Sequence, residues 1–163
     1  MRKVLILLIL VVLIPVAAFA QLQVGGIAMY KGNPTTATSV GVDSFTFGGE
    51  ARLRVGILQG AVSALYVPYG SYAAIAALTD IGASFDVAIF TLGAGIGPNF
   101  AINIGSGAPT AVNFGMNLKL TTDINIGAFS IGLAGFYYVS DFTTIASVFS
   151  NLPWLGITAM LKL

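Results

Sequence analysis

Apolar and polar residues alternate with a period of two along three stretches of the chain, residues 47–55, 112–123 and 155–163. In each stretch every second residue is apolar or small. In the first, the positions between carry three charges, on Glu50, Arg52 and Arg54. Successive side chains of a strand point to opposite faces, so each stretch predicts a β-strand with one apolar and one polar face.

Three segments of similar pattern predict tight hairpins, with reversals near residues 55–57, 87–89 and 124–126. Longer segments rich in turn residues separate the hairpins, and each holds one proline: Pro34, Pro68, Pro109 and Pro153. The predicted strands are residues 21–30, 44–55, 57–67, 75–86, 89–100, 112–123, 126–139 and 154–163. Pro98 falls late in the fifth strand, where it predicts a bulge or an early end to pairing.

Eight strands joined alternately by short turns and longer loops predict an all-β fold, an antiparallel up-and-down transmembrane barrel. Composition favours the same fold, because 56% of the residues are hydrophobic and only 8% are charged. A soluble domain has about 25% charged residues, so we expect lipid to cover this surface. Closure into a barrel leaves no unpaired strand edge in hydrocarbon.

A helical inner-membrane protein is the competing interpretation. Residues 55–79 and 87–118 carry no charge and are long enough to cross a bilayer as helices. A helix would spread the charges of Glu50, Arg52 and Arg54 over most of its circumference, whereas a strand places them on one face. The alternation therefore favours strands.

The first twenty residues predict a signal peptide. Arg2 and Lys3 precede an apolar run over residues 4–14, and Ala18-Phe19-Ala20 supplies a small-x-small cleavage pattern before Gln21. We expect residues 1–20 to be removed and residues 21–163 to form the barrel. An uncleaved N-terminal anchor is the alternative. With short turns on the periplasmic side, both termini should face the periplasm of an outer membrane.

Aromatic residues are predicted to form two girdles at the membrane interfaces. Near the tight turns lie Phe85, Phe90 and Phe129. Near the loops lie Tyr30, Phe45, Phe47, Tyr66, Tyr72, Phe100, Phe114, Tyr137, Tyr138 and Trp154.

In layout the mature chain resembles the small outer-membrane barrel group that includes the OmpA transmembrane domain, OmpX and OmpW. Residues 155–163 resemble the terminal assembly signal of such proteins, which implies the barrel-assembly machinery as a partner. The chain departs from that pattern by ending in Leu163, where an aromatic residue is usual.

The strand charges are predicted to point into the lumen or to its periplasmic lip, as a network of four acids and four bases: Glu50, Asp80, Asp86 and Asp123 with Arg52, Arg54, Lys119 and Lys162. One interpretation is a structural ion-pair network filling the core. The other is a polar constriction along a narrow path, for which inward glycines would leave room: Gly48, Gly82, Gly93, Gly95, Gly97, Gly115, Gly132 and Gly156.

Catalysis is not expected, because the chain has no His and no Cys to form a nucleophile–base pair. Ser63, Ser84 and Ser130 are predicted to line the lumen, and no cofactor or metal is expected. After the signal, five basic residues stand against six acidic ones, so nucleic acid is not expected as a partner. The function predicted is a small channel-like or hydrophobic-solute barrel in the outer membrane, with small apolar solutes as ligands. The alternative is a surface-exposed structural or adhesive barrel.

Overall fold

Eight antiparallel strands make up most of the part of the chain that this computed structural model describes, residues 20–31, 41–106, 108, 112–139 and 153–163. The strands are β1 (Ala20–Tyr30), β2 (Phe45–Val55), β3 (Leu58–Pro68), β4 (Ala73–Val87), β5 (Phe90–Ile104), β6 (Val112–Ile126), β7 (Phe129–Val139) and β8 (Trp154–Lys162). Each strand pairs with its neighbours in sequence and β8 pairs with β1, so the sheet closes into a barrel. The predicted all-β fold, an eight-stranded antiparallel barrel, is confirmed.

The helical interpretation is wrong, since residues 55–79 and the described part of 87–118 form strands and turns. A search of the described residues for a helix long and apolar enough to cross a membrane finds none. The predicted signal segment up to residue 19 and its residue Ala18 lie outside the described residues. Ala20 and Gln21 are the first two residues of β1, and cleavage between them stays a prediction.

Three two-residue turns, at residues 56–57, 88–89 and 127–128, define what we call the tight-turn end of the barrel. The first residue of each has a positive φ: 61° at Gly56, 56° at Ala88 and 61° at Gly127. This sign pattern belongs to the hairpin turns that match strand twist. The third turn comes later than predicted because Ile126 still pairs with Phe129. The opposite end, with the longer connections, is the loop end.

The tight turns are tied to one another around the barrel. The Ile57 carbonyl accepts from the Ser84 amide at 2.7 Å, the Ile89 carbonyl from the Asn125 amide at 2.8 Å, and the Ala128 carbonyl from the Lys162 amide at 2.7 Å. Each turn is thus hydrogen-bonded to the next strand beyond its own hairpin (β4, β6 or β8), close to the tight-turn end of that strand. The three turns therefore lie at nearly one level.

Pro98 interrupts the ladder without a bulge, so the predicted bulge or early end is wrong. β5 continues to Ile104, and its register with β4 is the same on both sides of the gap, with Leu78 opposite Asn99 and Ile81 opposite Ile96. The Thr79 hydroxyl donates to the Pro98 carbonyl at 3.0 Å. A side-chain hydrogen bond therefore joins the strands where proline has no amide hydrogen to offer.

Side chains alternate between the two faces of the wall. Those on the outer face are apolar and exposed along every strand, as in Leu22, Leu53, Val62, Ile81, Ile96, Leu120, Ile131 and Ile157. Phe47, Tyr66, Phe100 and Phe114 add exposed aromatic rings toward the loop end, and Phe85, Phe90 and Phe129 toward the tight turns. Tyr138 and Trp154 do not join that girdle. They stack on each other at 5.3 Å and pack against the interior.

Candidate functional site: the closed interior

The interior of the barrel consists of two layers of different chemistry. Toward the tight turns lies an ionic layer, which we define as Glu50, Arg52, Asp80, Lys119 and Asp123. Toward the loop end lies an apolar layer, defined as Ile27, Met29, Leu65, Val67, Ala74, Ala76, Leu78, Ala101, Ala134 and Phe136. The inward faces of β2, β4 and β6 supply the charges, because the alternation that exposes their apolar residues turns these side chains inside.

Glu50 is the centre of the ionic layer. One of its carboxylate oxygens accepts from both Arg52 Nε and Lys119 Nζ. The other accepts from the Ser63 hydroxyl at 3.0 Å. Arg52, Lys119 and Glu50 all have side chains at most 1% exposed. A buried carboxylate with two cationic partners and a hydroxyl is well compensated for its loss of hydration.

The remaining two acids extend the layer to either side. Arg52 Nη1 donates to Asp123 Oδ2 at 2.6 Å, and Thr158 donates to Asp123 Oδ1 at 3.1 Å. Asp80 Oδ2 lies 3.6 Å from Lys119 Nζ, which is too far for a hydrogen bond. This oxygen has no hydrogen-bond partner among the described residues. The layer therefore holds three carboxylates against two cations, and the carboxylate of Asp80 is the least well compensated of the three.

The other predicted network residues form a separate lip at the tight-turn end. Arg54 Nη1 donates to Asp86 Oδ1 at 2.7 Å, and Thr91 donates to the same oxygen at 2.6 Å. The Asp86 side chain is 50% exposed, so water screens this pair. Lys162 lies farther away and adds a longer-range attraction to Asp86. The eight predicted charges thus divide into a buried group of five and a group of three at the lip, in which the Asp86 side chain is half exposed and the Arg54 side chain is 13% exposed.

The apolar layer was not predicted from the sequence. Phe136 and Leu78 have no exposed surface, and Leu65 and Met29 are each 1% exposed. Lys119 Nζ lies 5.2 Å from the centre of the Phe136 ring, so the two layers touch. The available signal was a loss of alternation: residues 64–67 read Ala-Leu-Tyr-Val, and an unbroken apolar run in a strand indicates that both faces are apolar.

Seven of the eight inward glycines, all but Gly115, have neighbouring atoms in the space that a Cβ would occupy, so the expectation that they leave room for a path is wrong. A Cβ at Gly95 would lie 2.6 Å from Asp80 Oδ1, and one at Gly93 would lie 2.6 Å from Thr121 Oγ1. A Cβ at Gly156 would lie 2.5 Å from Met29 Cγ. The missing side chains provide the volume that the ionic and apolar side chains occupy.

Together the two layers close the lumen within the described residues. Arg52 and Lys119 are 1% exposed, and Leu78 and Phe136 are 0% exposed. Side chains that lined a water-filled channel would be reachable by water from it. An eight-stranded barrel is just wide enough to be filled by side chains, and this one is filled.

A second ordered feature, the outer-rim corner, lies at the loop end and comprises Lys31, Asp43, Pro68, Tyr69 and Tyr72. Lys31 Nζ donates to the Pro68 carbonyl and lies 4.4 Å from the centre of the Tyr69 ring. Tyr69 stacks on Tyr72 at 5.3 Å, and its amide donates to the Tyr72 carbonyl at 2.8 Å. Partial burial lowers the pKa of Lys31, and nearby Asp43 offsets part of that shift.

The chain is similar in fold to Neisserial surface protein A. The crystal structure of that protein shares 13% sequence identity with it at a TM-score of 0.47, over 88% of this chain and 93% of the other. No protein-family model and no curated protein sequence matches the chain. The closed eight-stranded barrel described above rests on its own strand pairings.

The three serines that the sequence placed in the lumen are on the inner face. Ser63 and Ser84 are 0% exposed and Ser130 is 1% exposed. Ser63 is engaged with Glu50. Among the described residues, no three His, Cys, Asp or Glu side chains are grouped as metal ligands. The arrangement is one of packing and charge compensation.

Proposed function

We propose that the chain is an outer-membrane β-barrel that serves as a closed, membrane-anchored scaffold. Its work is then to present the loop end at the cell surface. The observation that carries this proposal is the inversion of polarity across the wall, with exposed Ile, Leu, Val and Phe outside and Glu50, Arg52 and Lys119 inside. Such an inversion is unfavourable in water and suits a wall that faces hydrocarbon.

The closed interior favours a scaffold over a water-filled channel. An ion would have to pass Arg52 and Lys119 in one layer and Leu78 and Phe136 in the next. Breaking a buried ion pair costs about 3–5 kcal/mol, and the apolar layer offers no group to hydrate the ion. The ordered outer-rim corner supplies the scaffold with a fixed aromatic surface, on which Tyr69 is 44% exposed.

Reconstitution tests both parts of the proposal. The purified chain should float with lipid vesicles, migrate differently before and after boiling, and give no steady conductance in a planar bilayer in which an open porin conducts. Steady ion conductance by the unmodified protein would contradict the scaffold. Failure to float or insert would contradict the membrane assignment.

Orientation is tested in intact cells. We propose that the tight-turn end and both termini face the periplasm, as short turns do in outer-membrane barrels. An epitope tag after Leu163 should be reached by antibody only after the outer membrane is permeabilised, whereas a tag between Gly70 and Ser71, in the connection from β3 to β4, should be reached at once. The reverse pattern would invert the barrel.

A small-apolar-solute barrel is the second candidate, favoured by the apolar layer toward the loop end. A solute would enter only if these packed side chains separated. Uptake of a fluorescent apolar solute into vesicles, faster with the protein than with lipid alone and lost on substituting Phe136→Trp, would favour this function over the scaffold.

A further inference from the structure

The barrel wall is taller on one side. β4, β5 and β6 each have 15 residues, whereas β1, β2, β3 and β7 have 11 and β8 has nine. At about 3.3 Å per residue and a strand tilt of about 40°, the long strands rise about 38 Å and the 11-residue strands about 28 Å. We call β4, β5 and β6 the tall wall.

Most of the extra height lies at the loop end. The tight turns are tied to one another by the Ile57, Ile89 and Ala128 carbonyls, so the hairpins start from nearly one level. At the other end, the described part of β7 runs to Val139 opposite Met116, and β6 extends four residues farther, to Val112. β5 runs beside it to Ile104.

The outer face of this extra height is apolar. Its side chains are exposed by the following fractions: Ile75 44%, Ile102 48%, Ile104 41%, Val112 70% and Phe114 59%. The outward positions of the tall wall, from the tight turns to the loop end, include no charged residue. A wall that projected into water would expose these side chains at a cost of about 25 cal/mol per Å² of apolar surface.

A second copy of the chain is a poor occupant for this surface. Four residues on three strands, at about 3.3 Å per residue and about 4.8 Å between strands, present about 200 Å². Stable protein interfaces bury about 800 Å² on each partner. Lipid needs no such area, and the surface is continuous with the apolar belt below it.

We infer that lipid acyl chains cover the tall wall up to its loop end, so that the barrel tilts toward this side or thickens the bilayer there. The inference rests on the proposed membrane function. A hydrocarbon core of about 30 Å matches the 11-residue strands and falls short of the tall wall. Bilayers and proteins accommodate such mismatch by tilt or local thickening.

Tryptophan placed along the tall wall tests this inference. Trp154 is the single tryptophan, so Trp154→Phe gives a dark background. Ile104→Trp and Phe114→Trp report the disputed height, and Ile96→Trp reports the middle of the belt. Val42→Trp reports a strongly exposed position outside the tall wall, since Val42 is 78% exposed in the connection that leads into β2. The proteins are reconstituted in phosphatidylcholine vesicles with brominated acyl chains, and quenching by aqueous iodide is measured in parallel. Phe114→Trp replaces one aromatic ring with another, so it still reports this height if Ile104→Trp does not fold.

We expect bromine quenching at positions 104 and 114 within about twofold of that at position 96, and iodide quenching several-fold weaker than at position 42. Iodide quenching equal to that at position 42, with strong bromine quenching kept at position 96, overturns the inference and leaves the membrane function standing. Absence of bromine quenching at position 96 as well overturns both. Loss of bromine quenching at position 104 as protein density rises, with a crosslinked dimer, identifies a second copy as the occupant.

Discussion

The two layers of the interior reach the same burial by different means. The ionic layer binds distant strands through few, directional contacts. Two of them join β2 to β6, one between Glu50 and Lys119 and one between Arg52 and Asp123. The apolar layer joins strands through many weak contacts around Phe136 and Leu78, none of which depends on a single partner. The ionic layer should therefore fail as a unit when one charge is lost, whereas the apolar layer should lose stability in proportion to the volume removed.

Glu50→Gln should give the largest effect. It leaves Arg52 and Lys119 buried without their shared carboxylate, and the expected loss in the free energy of unfolding is about 3–5 kcal/mol. Urea unfolding in vesicles, followed by gel mobility, measures it. Asp86→Asn in the solvated lip is the matched control and should cost less than about 1 kcal/mol. Equal losses for the two variants would remove the distinction between the ionic layer and the lip.

A double variant tests whether the charges of the ionic layer are energetically coupled. Glu50→Gln combined with Lys119→Met removes one charge of each sign, so it should cost clearly less than the sum of the two single variants. A coupling energy near zero, obtained from the four unfolding free energies, would show that the ionic layer does not act as a unit.

Phe136→Ala should cost about 3–4 kcal/mol through the cavity it leaves. Phe136→Leu should recover most of that loss, because an apolar layer depends on filled volume and not on one partner. The same unfolding assay ranks the three proteins. A loss as large for Leu as for Ala would indicate that the ring itself, which Lys119 approaches at 5.2 Å, carries the stability.

Glycine variants compare how the two layers accept added volume. Gly156→Ala meets Met29 and the Ala28 carbonyl, and Gly95→Ala meets the Asp80 carboxylate. We expect about 1–3 kcal/mol of destabilisation at each. Met29→Ala should relieve part of the first, since the added methyl group then gains space. If both glycine variants were neutral, the interior would be looser than the burial indicates.

The smallest effect is expected outside both layers. Ala88 has φ 56° in a tight turn, where a residue with a Cβ is strained. Ala88→Gly should stabilise the barrel by up to about 1 kcal/mol, and Gly127→Ala in the equivalent turn should destabilise it by a similar amount. The unfolding assay should show changes of opposite sign in the free energy of unfolding for the two variants. Because both changes lie in the turns, they serve as a reference for the variants within the two layers.

Period-two alternation made the fold predictable, because Glu50, Arg52 and Lys119 each fall between apolar neighbours that must face lipid. The same rule failed where both faces of a strand are apolar. Leu65, Leu78 and Phe136 gave no contrast with their neighbours, so the apolar layer was not visible. Partner choice was also out of reach, since it depends on the stagger between strands, which joins Arg52 to Asp123 across 71 residues. Trp154 was assigned to the girdle because aromatic residues suit both an interface and a core.

The proline in the wall has a consequence for motion. Around Pro98 the regular backbone pairing between β4 and β5 is interrupted, and the Thr79 hydroxyl supplies the hydrogen bond that joins the two strands there. Local opening of a sheet begins where the fewest hydrogen bonds must break. Amide hydrogens of β4 and β5 next to this gap should exchange faster than those of β2 and β3 at the same level. The wall would then open locally along the β4–β5 seam. Thr79→Val should increase amide exchange at this seam while the two interior layers stay closed.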